Sequence, residues 1–96
     1  MVSGETVIEK LKDAKVTLKR GFGVKEIAMY GPHSRGEAQE GDDVMLLVTI
    51  DKPLGLRIMD LEEQLKTLLE NPVDITLKRD IEKKYLKTIR HELIYA

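Results

Sequence analysis

Ninety-six residues carrying 16 Lys and Arg against 17 Asp and Glu make enough chain for one domain, residues 1–96, with a single modest core. The near balance of charge leaves no broad electrostatic footprint for nucleic acid or membrane, so no direct DNA binding is expected. The absence of cysteine excludes disulfides, thiolate metal sites and thiol nucleophiles, and leaves carboxylates and histidines to carry any chemistry.

From Glu5 to Arg20, Val7, Ile8, Leu11, Ala14 and Leu18 recur at helical spacing with lysines on the other side, which predicts an amphipathic first helix. Thr6 with Glu9 makes a capping box at its start, and Gly21 ends it in a left-handed turn. Val24 to Tyr30, bounded by Gly23 and Gly31, predicts a short strand buried on both faces. Pro32 to Gly41 is polar and glycine-containing, a loop with one helical turn around Ser34 to Ala38. Asp43 to Ile50 carries the strongest strand signal, with Val44, Leu46, Val48 and Ile50 on one face and Met45 and Leu47 on the other, and is expected at the centre of the sheet.

After Asp51-Lys52-Pro53, the leucines and isoleucine from Leu54 to Leu69 predict a second long helix that stops before Asn71-Pro72. Val73 to Leu77 follows as a brief strand. Asp80 then caps a helix carrying Ile81, Tyr85, Leu86, Ile89 and Leu93, with Lys83, Lys84, Lys87 and Arg90 on a solvated outer face. The sum is a small α/β or α+β domain, a sheet of about three strands covered by helices. The first residues lack a signal-peptide pattern, and no apolar run approaches the roughly 18 residues of a membrane span, so the expected location is the cytoplasm.

Chemistry concentrates in Tyr30-Gly31-Pro32-His33-Ser34-Arg35-Gly36-Glu37-Ala38 and the following Asp43-Val44-Met45. Residues 43 and 45 are two apart on a strand and project from one face, and Asp74 joins them if its strand pairs with theirs. Three such carboxylates are what two Mg²⁺ ions need in order to clamp the attacking and leaving oxygens of a phosphoryl displacement. Met45 leaves this cluster one charge short, because a thioether is a poor Mg²⁺ ligand. Asp42 is a substitute only if a bulge turns it to the other face.

Glycine turns hold phosphate through backbone N–H groups and a nearby hydroxyl, and Pro32 offers neither. Gly31, Ser34, Arg35 and Gly36 remain as candidate nucleotide-binding residues, with Arg35 either pairing with phosphate or holding the loop through Glu37, Asp42 or Asp43. His33 reads as an exposed loop histidine and Met45 as a core or interface residue. Leu54, Leu56, Ile58 and Met59 offer apolar surface for a partner to cover.

At these residues the sequence resembles the minimal nucleotidyltransferase family of the DNA polymerase beta-like superfamily. Gly31-Pro32, ten residues and Asp43-Val44-Met45 match the spacing of that family's Gly-Ser and Asp-x-Asp motifs. Ser34-Arg35-Gly36-Glu37-Ala38 matches the interval, and Val73-Asp74-Ile75 looks like the strand of the third aspartate. The resemblance implies a nucleotidyltransferase fold, Mg²⁺ and ATP as cofactors, and transfer of a nucleoside monophosphate to an acceptor. It also implies an antitoxin role beside a HEPN-domain toxin partner. By position, Asp43 and Asp74 become catalytic metal ligands, with Pro32 and Met45 as the degenerate positions. Three readings follow: a catalytically impaired protein acting by partner binding, an active adenylyltransferase, and a homo-oligomeric structural domain without nucleotide.

Overall fold

In the computed structural model, which describes residues 2–96, the first helix, α1, spans Gly4–Phe22. It starts earlier than the periodicity indicates, because Ser3 is the N-cap and its hydroxyl accepts the Thr6 N–H, satisfying a donor that Thr6 and Glu9 were expected to cover. The left-handed C-cap is Gly23, φ 69°, rather than Gly21, and its N–H reaches the carbonyls of Leu18 and Lys19. Ending the helix two residues later carries Phe22 into the core, 7% exposed.

Strand β1 (Val24–Tyr30) follows, then a four-residue helix, α2 (Pro32–Arg35), and strand β2 (Val44–Ile50). The helical turn falls earlier than Ser34 to Ala38 because Pro32, with its fixed φ, occupies the first helical position. Helix α3 (Arg57–Leu69) and strand β3 (Val73–Leu77) come next. Leu54 and Leu56 precede α3 and do not belong to it. Asp80 caps no α-helix: it lies in a 3₁₀ turn, Lys78–Asp80, and α4 runs only over Lys83–Ile89. Ile81 and Leu93 lie outside α4 yet pack into the same apolar cluster as Leu86 and Ile89, so they share a destination without sharing a helix.

The sheet has four strands rather than three, in the order β3-β2-β1-β4. The addition is β4 (Ile94–Tyr95), antiparallel to β1 through Ala28 and Met29. Strands β1 and β2 are antiparallel, and β2 and β3 are parallel through the α3 crossover. Val44, Leu46 and Val48 face the main core beneath α1 and α3, with Val7, Leu11, Leu61, Leu65 and Leu69, all at most 0% exposed. Tyr30 and Leu47 face the other way into a smaller cluster with Ile89, and Met45 packs against it. No helix among the described residues is long and apolar enough to cross a membrane.

Candidate functional site

The strand registers put three sequence-distant positions in one row. Tyr30 pairs with Met45 across β1 and β2, and Met45 pairs with Asp74 across β2 and β3. Their side chains therefore share the face opposite the main core. Asp43 immediately precedes β2, and strand alternation carries it to that same face, next to the row. Asp43 and Asp74 are both exposed, whereas Met45 is half-buried. The two acids singled out in the sequence thus lie at the open end of this face, with the thioether between them and the small apolar cluster.

Tyr30 reaches across β2, where its hydroxyl lies 3.3 Å from Oγ1 of Thr76. Its ring stands edge-on to Tyr85 of α4, with centroids 6.3 Å apart. Burial pushes the Tyr30 phenol above its usual value, and the nearby charges of Tyr85 and Asp74 push the same way while the Thr76 hydrogen bond opposes them. The face carrying Asp74 is thereby closed below by aromatic rings and apolar side chains.

A two-Mg²⁺ centre asks for three hard oxygen donors, and this donor set does not supply them. Met45 offers soft sulfur, and it is packed among apolar neighbours. Asp42 does not replace it. Its Oδ2 accepts the Gln39 N–H at 2.9 Å and its N–H donates to the Gln39 carbonyl at 3.0 Å, so its carboxylate closes the loop before β2. Among the described residues no three His, Asp or Glu side chains converge as a metal site.

The glycine turn is built tightly against this row. Gly31 has φ 79° and ψ −160°, a conformation essentially confined to glycine. A Cβ there would stand 2.6 Å from Sδ of Met45, so the turn and the thioether are in direct apposition. His33 is not the exposed loop residue the sequence suggests. It is 3% exposed, and neither ring nitrogen has a hydrogen-bond partner among the described residues. The start of α1 packs over α2, with Gly4 against the His33 carbonyl.

Three of the four candidate phosphate donors of the turn, Gly31, Ser34 and Arg35, meet one residue to which the sequence reading gave no role, Glu92. Gly31 donates its N–H to Oε1 of Glu92 at 2.8 Å, and Nη1 of Arg35 donates to both carboxylate oxygens at 3.0 and 3.1 Å. The Ser34 hydroxyl donates to the Glu92 backbone carbonyl. Nε of Arg35 bonds Glu37 at 2.9 Å, so Glu37 first and Glu92 second raise the guanidinium pKa. Of the partners considered for Arg35, Glu37 is realised and Asp42 and Asp43 are not. Gly36 turns its N–H back to the Pro32 carbonyl. Glu92 lies 61 residues from Gly31, at the end of a 3₁₀ turn, Arg90–Glu92, that leads into β4, and no local pattern signals the contact.

Residues 8–95 match the family described as the nucleotidyltransferase domain. The protein adenylyltransferase MntA of Thermococcus cleftensis is 36% identical over 97 aligned positions, covering 100% of this chain and 98% of the relative. A candidate protein adenylyltransferase of Methanocaldococcus jannaschii is 37% identical over 89 positions, 91% of each chain. Among solved structures, a candidate minimal nucleotidyltransferase superposes with a TM-score of 0.78 at 28% identity, covering 96% of this chain and 94% of that one. A toxin–antitoxin assembly solved with AMP-PNP matches at a TM-score of 0.70 and 17% identity over 88% of this chain and 70% of that one, a likeness of fold.

Proposed function

The chain belongs to the nucleotidyltransferase domain family, and from that premise we propose that it is an antitoxin-like member of the minimal type that acts by binding a toxin partner, with impaired catalysis. The observation that carries this reading is Met45. It stands between Asp43 and Asp74, where a third oxygen donor is required, and packs into the apolar cluster of Tyr30, Leu47 and Ile89. Replacing a carboxylate by a thioether removes a ligand for the Mg²⁺ whose positive charge would stabilise a transferring phosphoryl group. The scaffold around it is retained. A protein that keeps the fold without the charge is suited to recognition.

The partner's class is drawn from the relatives: a solved neighbour is a toxin–antitoxin assembly. A HEPN-domain ribonuclease is the specific partner proposed, met in the cytoplasm. Co-expression with the product of the adjacent gene, followed by size-exclusion chromatography and incubation with Mg²⁺ and α-labelled ATP, tests both halves. A stable complex without label on either chain is expected. The similarity to protein adenylyltransferases favours a second reading, an active enzyme. Robust Mg²⁺-dependent AMP transfer by the wild type, abolished in Asp43→Asn, would establish it and overturn the first.

A further inference from the structure

The turn from Gly31 to Arg35 has the donors of an anion seat, and they are already occupied. Gly31 N–H and Arg35 Nη1 converge on one carboxylate, that of Glu92, whose side chain is only 10% exposed. The Ser34 hydroxyl is held by the same residue's backbone. Pro32 has no N–H to offer, and the amides of Ser34 and Arg35 both return to the Gly31 carbonyl. The Gly31 N–H, the Arg35 Nη1 and the Ser34 hydroxyl are thus each engaged within the chain.

A carboxylate and a phosphate oxygen pair ask for the same partners: backbone N–H groups and a guanidinium in fork geometry. Two carboxylates, Glu37 and Glu92, already pair with the guanidinium of Arg35, and the His91 ring also faces Glu92 at 3.9 Å, so an incoming anion meets occupied donors. We propose that Glu92 is an intramolecular anion seated in this turn, and that it excludes external phosphate from a site which its removal opens. The ligand class of the opened site is a polyphosphate anion. The contact is autoinhibitory for anion binding and rests on the reading of this turn as a phosphate turn, independently of whether a partner protein binds.

The test is an ¹⁵N NMR titration of the full chain with pyrophosphate, comparing wild type, Glu92→Ala and Glu92→Gln. The alanine variant empties the seat, and the glutamine variant keeps its packing but removes the charge. Expected are saturable shifts of the Gly31 amide and Arg35 Nε–H in Glu92→Ala, at least about tenfold tighter than in wild type, with Glu92→Gln between them. The proposal is overturned by wild-type shifts at these two signals as tight as the variant's, or by folded variants that do not respond. Loss of fold in both variants would also overturn it, since Glu92 would then be a keystone of the fold. Failure of partner binding is read separately, by the co-purification described above.

Discussion

The two faces of the sheet are built to different standards. Beneath α1 and α3, side chains such as Leu11, Leu46, Leu61 and Leu65 are fully buried, and each is held from several elements. The opposite face has a small cluster of Tyr30, Leu47 and Ile89, with Met45, Leu86 and Leu93 only partly covered, and Asp74 open to solvent at its end. One face carries the stability. The other holds the positions that differ from a working metal site, where substitution disturbs less of the fold.

The largest effect is expected on the first face. Leu61→Ala should cost about 2–5 kcal/mol, against about 1–2 kcal/mol for Met45→Ala, whose side chain is only partly buried. Urea unfolding of the two variants measures the gap, and equal losses would mean that the faces are not unequal after all. Gly31→Ala comes next, at about 1–3 kcal/mol, because the positive φ and the contact with Met45 act together. In the double variant with Met45→Ala the contact is relieved and the backbone strain is not, so the two losses should add to more than the double variant shows.

Met45→Asp asks whether the weaker face can be converted. A carboxylate placed beside Asp74 and against Leu47 should lower stability by about 1–3 kcal/mol in EDTA. Mg²⁺ bound by the restored oxygen donors should return stability, about 2.7 kcal/mol at a hundredfold excess over its dissociation constant. Thermal melts with and without Mg²⁺ read this directly. A wild-type melt that rises equally with Mg²⁺ would show that position 45 does not limit the metal site.

The same contrast explains what could be read from the sequence. The stable face is written in local periodicity: Val7, Leu11 and Leu18 along α1, and Val44, Leu46 and Val48 along β2, needed only spacing to be placed correctly. Strand β3 was legible in full, as was the split of β2 into two faces. Strand β4 was not, because two residues carry no period and become a strand only by pairing with Ala28 and Met29. The burial of His33 depends on the approach of Gly4 at the start of α1. On the candidate site, the proximity of position 45 to Asp74 followed from strand pairing, but the role of Glu92 did not. A single glutamate near the end of the chain acquires its role through tertiary contact with Gly31 and Arg35 alone.

The smallest effect sharpens the comparison at Tyr30, which belongs to the weaker face yet is as buried as the core. Tyr30→Phe removes a single hydrogen bond, to Thr76, and should cost about 1 kcal/mol near neutral pH. Its pH dependence is the more telling part. Burial raises the folded-state pKa of Tyr30 above the ordinary value of 10.0, so the folded protein holds this proton more tightly than the unfolded chain. The resulting stability is complete below about pH 10 and is lost as the pH rises through the folded pKa. Wild type should therefore lose stability more steeply than Tyr30→Phe above about pH 10, and the two curves should converge there. Parallel curves across that range would mean that Tyr30 reaches solvent through the Asp74 end, and that the apolar closure of this face is looser than its packing indicates.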